Sequence, residues 1–243
     1  MKVTIEDLLR AGVHFGHLTR RWNPKMRQYI FMERNNIHIV DLNKTMQNLK
    51  AAYDAMRDVI ASGDEVMFVG TKKQAQTLVQ AEAARCAMPY ITERWLGGTL
   101  TNFSTIKKSI RKLEGLEKKV HDGTVESLTK KERLQIEREI AKMKKVFSGI
   151  QEMKRIPGAI FIVDTKKEDI AVKEAKKLNI PIFAIVDTNC DPDLIDYPIP
   201  GNDDSAKSIG LIVKTMVDAV LDAQAERDAK QEARAAKAEK EKA

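Results

Sequence analysis

Residues 159–186, AIFIVDTKKEDIAVKEAKKLNIPIFAIV, decide the fold. Two apolar runs, Ala159–Val163 and Ile182–Val186, bracket a charged stretch, 168–178, in which Ile170, Val172, Ala175 and Leu178 recur at helical spacing. Apolar runs that are continuous rather than alternating mark strands buried on both faces. A buried strand, a helix and a second buried strand form one unit of a parallel sheet covered on both sides.

Outward from this unit the same alternation recurs. Ile37–Val40 (IHIV) reads as a strand, and 44–61 as a helix with apolar positions at Met46, Leu49, Tyr53, Met56 and Ile60. Glu65–Val69 (EVMFV) is a strand, Lys73–Cys86 a helix, Pro89–Thr92 a short strand, and 204–223 a closing helix. The fold class expected is α/β, a Rossmann-like doubly wound parallel sheet. Residues 101–155 interrupt it. Ile106, Ile110, Leu113 and Val120 form one apolar stripe; Ile136, Ile140, Met143, Phe147 and Ile150 form another at coiled-coil spacing. His121–Thr124 between them predicts a turn, and Thr129 with Glu132 predicts a capping box. The expected organisation is therefore a discontinuous sheet domain, 1–100 plus 156–225. An antiparallel coiled-coil hairpin is inserted at 101–155, and a charged Ala/Lys/Glu tail occupies 226–243.

The net charge of +7 is unevenly placed. Residues 101–155 carry fifteen basic and eight acidic side chains, a net +7, and residues 10–34 carry six and one, a net +5. Residues 156–225 carry seven basic and twelve acidic, a net −5. Segregated positive charge suits a polyanion, because phosphate contacts supply most non-specific nucleic-acid affinity; the plainer account is a solvated helix face. No apolar run reaches the length of a bilayer span, and the N-terminus has no apolar signal-peptide core. Cys86 and Cys190 have no CxxC partner, as expected of free thiols in a reducing cytosol.

Few motifs suit catalysis. Gly70-Thr71-Lys72-Lys73 follows a strand but lacks the spacer and second glycine of a phosphate loop, which leaves a turn with two surface lysines. No GxSxG or HExxH occurs. Asp164 and Asp187 end strands, with Asp191, Asp193, Asp203 and Asp204 close in sequence. These acids suit either capping of turns and of the helix near 204, or a Mg²⁺ held by oxygen. His14 and His17 are three apart; they are either packed or hydrogen-bonded histidines, or ligands of a Zn²⁺ or Mg²⁺ that would take Asp187, Asp203 or Asp204 as further ligands. Arg20, Arg21, Trp22, Asn23, Lys25 and Arg27 form a basic, proline-containing segment. Guanidiniums fork onto phosphates, and Trp22 either stacks on a base or pins its loop to the core. Arg94, Trp95, Thr101 and Asn102 flank a Gly97–Gly98 pair in a second such segment. The hairpin adds Lys107, Lys108, Arg111, Lys112, Lys130 and Lys131.

Together the blocks GVHFGHLTRRWNPKMRQYIF (12–31), NIHIVDLNKT (36–45), FVGTKKQAQ (68–76), ERWLGGTLTNF (93–103), IFIVDT (160–165), IPIFAIVDTNCDPD (180–193) and IPGNDDS (199–205) resemble the bacterial small-subunit ribosomal protein two family. The match runs in order from about Val3 to about Leu221; Cys190 stands where serine is more usual, and the tail has no counterpart. The resemblance implies a Rossmann-like domain with a protruding hairpin, cytoplasmic and ribosome-bound. It implies no catalysis, no required cofactor, no membrane and no small-molecule substrate. It also implies binding of small-subunit ribosomal RNA, contact with neighbouring small-subunit proteins, and a part in docking the large mRNA-binding ribosomal protein one. On that reading the acidic 156–225 region faces a basic protein neighbour. Two rivals of other classes are a metal-dependent phosphate-ester enzyme built on His14, His17, Asp187 and Asp203, and a coiled-coil adaptor.

Overall fold

The computed structural model describes residues 1–122 and 129–240, with side chains through 230. Its centre is a five-stranded, wholly parallel sheet in the order β5-β4-β6-β7-β8, made of Val66–Val69 (β4), Tyr90–Ile91 (β5), Ala159–Val163 (β6), Ile182–Val186 (β7) and Tyr197–Pro200 (β8). Every residue of β4, β6 and β7 is buried. Both faces are covered, so alternate side chains enter two different cores. Phe68, Phe161, Val163, Phe183 and Ile185 face helices Leu42–Ala61 (α2), Lys73–Arg85 (α3) and Ala206–Lys240 (α7). Met67, Val69, Ile160, Ile162 and Ala184 face helix Asp169–Lys177 (α6) and the base of the 101–155 segment. β8 escapes sequence reasoning because it contains Pro198 and Pro200; both are tolerated because the strand lies at the sheet edge.

The expectation that Ile37–Val40 belongs to this sheet is corrected. It is β3, the middle strand of a separate antiparallel sheet with Phe15–Leu18 (β1) and Ile30–Arg34 (β2). β2 and β3 join through Asn35 and Asn36, at φ 52° and 59°, the left-handed pair of a tight hairpin turn. Before them, Thr4 and Asp7 close a capping box on helix Ile5–Arg10 (α1). The Arg20–Arg27 segment, expected as a loop, is two 3₁₀ turns, Thr19–Arg21 and Pro24–Tyr29, the second capped by Asn23.

Between β5 and β6 run helices Phe103–His121 (α4) and Lys130–Phe147 (α5), linked by Lys112–Glu139 (2.5 Å) and Lys144–Glu117 (2.7 Å). The Thr129–Glu132 capping box is present. Residues 123 and 124 of the expected turn lie outside the described residues. The apolar stripes do not make one uniform seam. Leu113, Ile110, Phe147 and Ile150 are buried in the same cluster as Met67, Ile91 and Trp95, whereas Val120 is 44% exposed and Leu134 is also exposed. The base of this pair is therefore part of the sheet's core, and burial fades with distance from it. The tail reads on as helix to Lys240.

Candidate nucleic-acid interface and carboxylate cluster

The antiparallel sheet is held against the end of β7 by backbone geometry. Gly16 lies so close to Thr188 that an added Cβ would meet its Cγ2 at 2.6 Å. The His17 N–H donates to Thr188 Oγ1 (2.9 Å) and the Asn23 N–H to the Thr188 carbonyl (2.7 Å). Lys25, a sequence candidate for RNA, instead pairs with Asp191 (2.8 Å) and Asp193 (2.9 Å), and Asn23 Oδ1 accepts from the Lys25 N–H. Trp22 is half-buried, tilted on His38 with ring centroids 5.1 Å apart. Arg20, Arg21 and Arg27 are exposed and have no pairing acid among the described residues.

The second basic segment is organised from inside. Trp95, an RNA-binding candidate from the sequence, is only 6% exposed. Its indole N–H donates to Glu174 Oε1 (3.1 Å). The Gly98 N–H reaches the same oxygen at 2.7 Å. The N–H groups of Leu100 and Thr101 each reach Oε2 at 3.0 Å, and the Thr101 hydroxyl reaches it at 3.1 Å. Gly98 has φ +89°, a left-handed conformation that glycine adopts without strain. Burial pushes the Glu174 carboxyl up, but these donors outweigh it and hold its pKa below the usual glutamate value. Asn102 sits at the N-terminus of α4, its Oδ1 accepting from the Thr105 hydroxyl (2.9 Å). Arg94 is exposed and carries no ion pair among the described residues.

On the helical pair the candidates divide. Lys107 donates to the Lys154 carbonyl (2.8 Å) and lies over the Phe103 ring, and Lys112 is paired with Glu139. Lys108, Arg111, Lys130 and Lys131 are exposed and carry no ion pair among the described residues.

The carboxyl ends of β4, β6 and β7 converge at the crevice where chain order reverses, between β4 and β6. His17, Asp187 and Asp203 bring one ligand atom each to within 4.8 Å of one another. His17 Nδ1 lies 3.0 Å from Asp187 Oδ2, and Nε2 3.3 Å from Asp204 Oδ2. The other expected ligand, His14, is not in the group: its ring packs on Phe15 at 4.1 Å, and burial lowers its pKa. Lys72, read from sequence as a surface lysine, is corrected to a largely buried cation. Its ammonium touches Asp203 (2.7 Å), Asp204 (2.5 Å) and Asp164 (3.2 Å). Burial opposes its charge, yet the hydrogen bonds to Asp203 and Asp204 prevail and raise its pKa. Asp203, 1% exposed, is pushed up to about 7 by burial and then by the Asp187 and Asp164 charges. The hydrogen bond to Asp187 raises the pKa of His17 against the effect of burial. Capping is also present, in part by the expected acids: Asp164 accepts from the Lys167 N–H, Asp187 from the Thr188 N–H and Asp191 from the Asp193 N–H, whereas ahead of α7 it is Asn202, not Asp203 or Asp204, that receives the N–H groups.

The acidic excess of 156–225 is consumed within the chain. All twelve acids have an internal partner: Lys72 takes Asp164, Asp203 and Asp204, and Lys25 takes Asp191 and Asp193. Asp187 meets His17, Asp169 Lys173, Asp196 Lys176, and Asp218 Arg85. Glu168 accepts from the Thr71 hydroxyl, Glu174 from its five donors, and Asp222 from the Tyr53 hydroxyl. Among the described residues the basic excess has no such internal sink at Arg20, Arg21, Arg27, Arg94, Lys108 and Arg111. Sequence reading missed Lys72 and Glu174. Glu174 carried a usable signal, being an acid on the apolar stripe of the 168–178 helix; Lys72 carried none, since its partners lie 92 to 132 positions away.

The family model described as Ribosomal protein S2 matches residues 8–223. Among similar curated proteins, the small ribosomal subunit protein uS2 of Chlorobium phaeovibrioides is 58% identical over 221 residues, 91% of this chain and 86% of that protein. Its namesake in Cytophaga hutchinsonii is 57% identical over 226 residues (93% and 89%), and that of Treponema pallidum 55% over 221 (91% and 76%).

Proposed function

Because this chain belongs to the ribosomal protein S2 family, we propose that it is a structural constituent of the small ribosomal subunit that binds small-subunit ribosomal RNA through its unpaired cations. A ribosomal structural protein is not an enzyme, and the α/β sheet serves as a scaffold. The observation that carries the reading is the asymmetry of charge use: the twelve acids of 156–225 have partners within the chain, while Arg20, Arg21, Arg27, Arg94, Lys108 and Arg111 are exposed and carry no ion pair among the described residues. Guanidinium forks suit phosphate and sugar contacts, which set orientation on folded RNA more than they read sequence. The division into a sheet body, 1–100 plus 156–225, and a hairpin insertion, 101–155, fits this use, with the insertion extending the cationic reach. The family resemblance adds a cytoplasmic setting and a role in docking the large mRNA-binding ribosomal protein one.

The test is sedimentation of tagged protein from gentle lysate across a salt series, with Arg20/Arg21/Arg27→Gln and Lys108/Arg111→Gln beside wild type. Wild type should travel with the small subunit and dissociate as salt rises, and both variants should dissociate at lower salt. Wild type remaining at the top of the gradient at low salt would end the ribosomal reading.

A second reading concerns the crevice. We infer that His17, Asp187 and Asp203 can hold one structural divalent cation. Asp203 Oδ2 is buried without a hydrogen-bond partner, and an imidazole with carboxylates suits Zn²⁺ better than Mg²⁺. Such an ion would pin the antiparallel sheet to the end of β7. Metal analysis and melting of the chelated and reloaded protein decide it. One equivalent of zinc, lost in His17→Ala together with several degrees of Tm, supports the ion. Unchanged melting and no retained metal would leave Lys72 as the cluster's counter-charge.

A further inference from the structure

The segment Trp95–Thr101 is an anion nest filled by its own chain. Three backbone N–H groups, an indole N–H and a hydroxyl converge on one carboxylate. Successive amides turned to one side by a left-handed residue form such concavities, which elsewhere bind phosphate. Here Gly98 supplies the left-handed turn and Glu174, 8% exposed, supplies the anion. The segment bridges two parts of the molecule. It begins after β5 at the sheet edge and ends at Asn102, where α4 starts. Glu174 belongs to α6, which packs on the same sheet face through Ala171, Val172 and Ala175. The carboxylate therefore ties the start of α4 to α6 and the sheet it packs on, in addition to the covalent connection through β5. Its oxygens divide the work: Oε1 holds Trp95 and Gly98, and Oε2 holds Leu100 and Thr101.

We propose that Glu174 is a positioning residue for RNA binding: by occupying the 95–101 nest it sets the direction in which α4 leaves the sheet and the placement of Arg94, Lys108 and Arg111. The consequence for binding rests on the ribosomal reading above; the consequence for geometry does not. A glutamine here keeps the shape but turns an amide donor toward donors, so at least one pair of contacts is lost. An aspartate keeps the charge one methylene short.

Glu174→Gln and Glu174→Asp are compared with wild type in three measurements. The first is amide hydrogen exchange at Gly98, Leu100 and Thr101 against strand amides such as Ile162 and Ala184. The second is the distance distribution between spin labels at Lys50→Cys on α2 and Lys119→Cys on α4. The third is the salt at which the protein leaves the small subunit. In Glu174→Gln, loop exchange should rise about tenfold or more, as loss of one charge-assisted hydrogen bond implies. Strand exchange should stay within about threefold, the label distances should broaden, and release should need less salt; Glu174→Asp should recover part of each. Equal acceleration in strands and loop would reduce Glu174 to a general core residue and overturn the proposal. So would loop acceleration with unchanged label distances. If wild type itself does not sediment with the small subunit, the ribosomal reading fails, and exchange and distances still decide whether Glu174 sets the geometry.

Discussion

Glu174 keeps its charge in a buried place because five donors surround it, and that has a pH signature. Its folded pKa lies below the ordinary value of 4.5, so its contribution is fully present above about pH 4.5. It is lost as the pH falls through the depressed folded value, where the unfolded chain binds the proton more readily. Wild type should exceed Glu174→Gln in unfolding free energy by about 2 kcal/mol at pH 7, the scale of hydrogen bonds to a charged group. Urea titrations should find this gap constant from pH 6 to 8 and closing below about pH 4.5. Gly16 poses a steric rather than an electrostatic demand. A Cβ there would meet Thr188 Cγ2 at 2.6 Å and the His38 carbonyl at 3.0 Å, and neither a backbone carbonyl nor a short β-branched side chain gives way cheaply. Gly16→Ala should cost about 1–3 kcal/mol, and hydrogen exchange should place the loss first in β1 and β3.

At the scale of the element, the α4–α5 pair carries its stability at one end. Leu113 is fully buried, and its truncation to alanine should cost about 2–4 kcal/mol through lost transfer energy and a residual cavity. Val120, on the same apolar stripe two turns further on, is exposed, and Val120→Ala should stay within about 0.5 kcal/mol. Thermal unfolding of the two variants checks the gradient; equal losses would mean that the seam holds along its whole length. The edge strand β8 makes the complementary point. Pro198 and Pro200 leave it unable to donate fully on its outer side, which blunts pairing with a further strand.

For the whole molecule, charge is distributed by what folding neutralises. Lys25 and Lys72 from the basic half close on acids of the C-terminal half, and what remains positive is what the fold leaves exposed. If Arg20, Arg21 and Arg27 each meet a phosphate, Arg20/Arg21/Arg27→Gln should shallow the slope of log affinity against log salt by about 2–3. Filter binding to small-subunit ribosomal RNA measures it. Replacing Lys25 by glutamine should instead lower stability with little change in that slope, because its charge is already spent on Asp191 and Asp193.

The sequence by itself determined the parallel sheet, the two-sided burial of its strands, the helices between the 89–92 and 159–163 strands and the family to which the blocks belong. These are periodic or local signals: Ala159–Val163 and Ile182–Val186 match the strands to the residue, and Thr129 with Glu132 caps α5 as the pattern predicts. Only the tertiary structure decided which polar residues remain available to a partner. Trp95 stood among the RNA-binding candidates and is buried, Lys72 looked solvated and sits among three carboxylates, and Ile37–Val40 looked like a strand of the main sheet and belongs to another. The physical reason is common to the first two: whether an indole is covered or an ammonium is neutralised depends on groups tens to more than a hundred positions away, and a local pattern holds no record of them. For Ile37–Val40 the hairpin partner lies within ten positions, but apolar character alone does not say which sheet a strand joins.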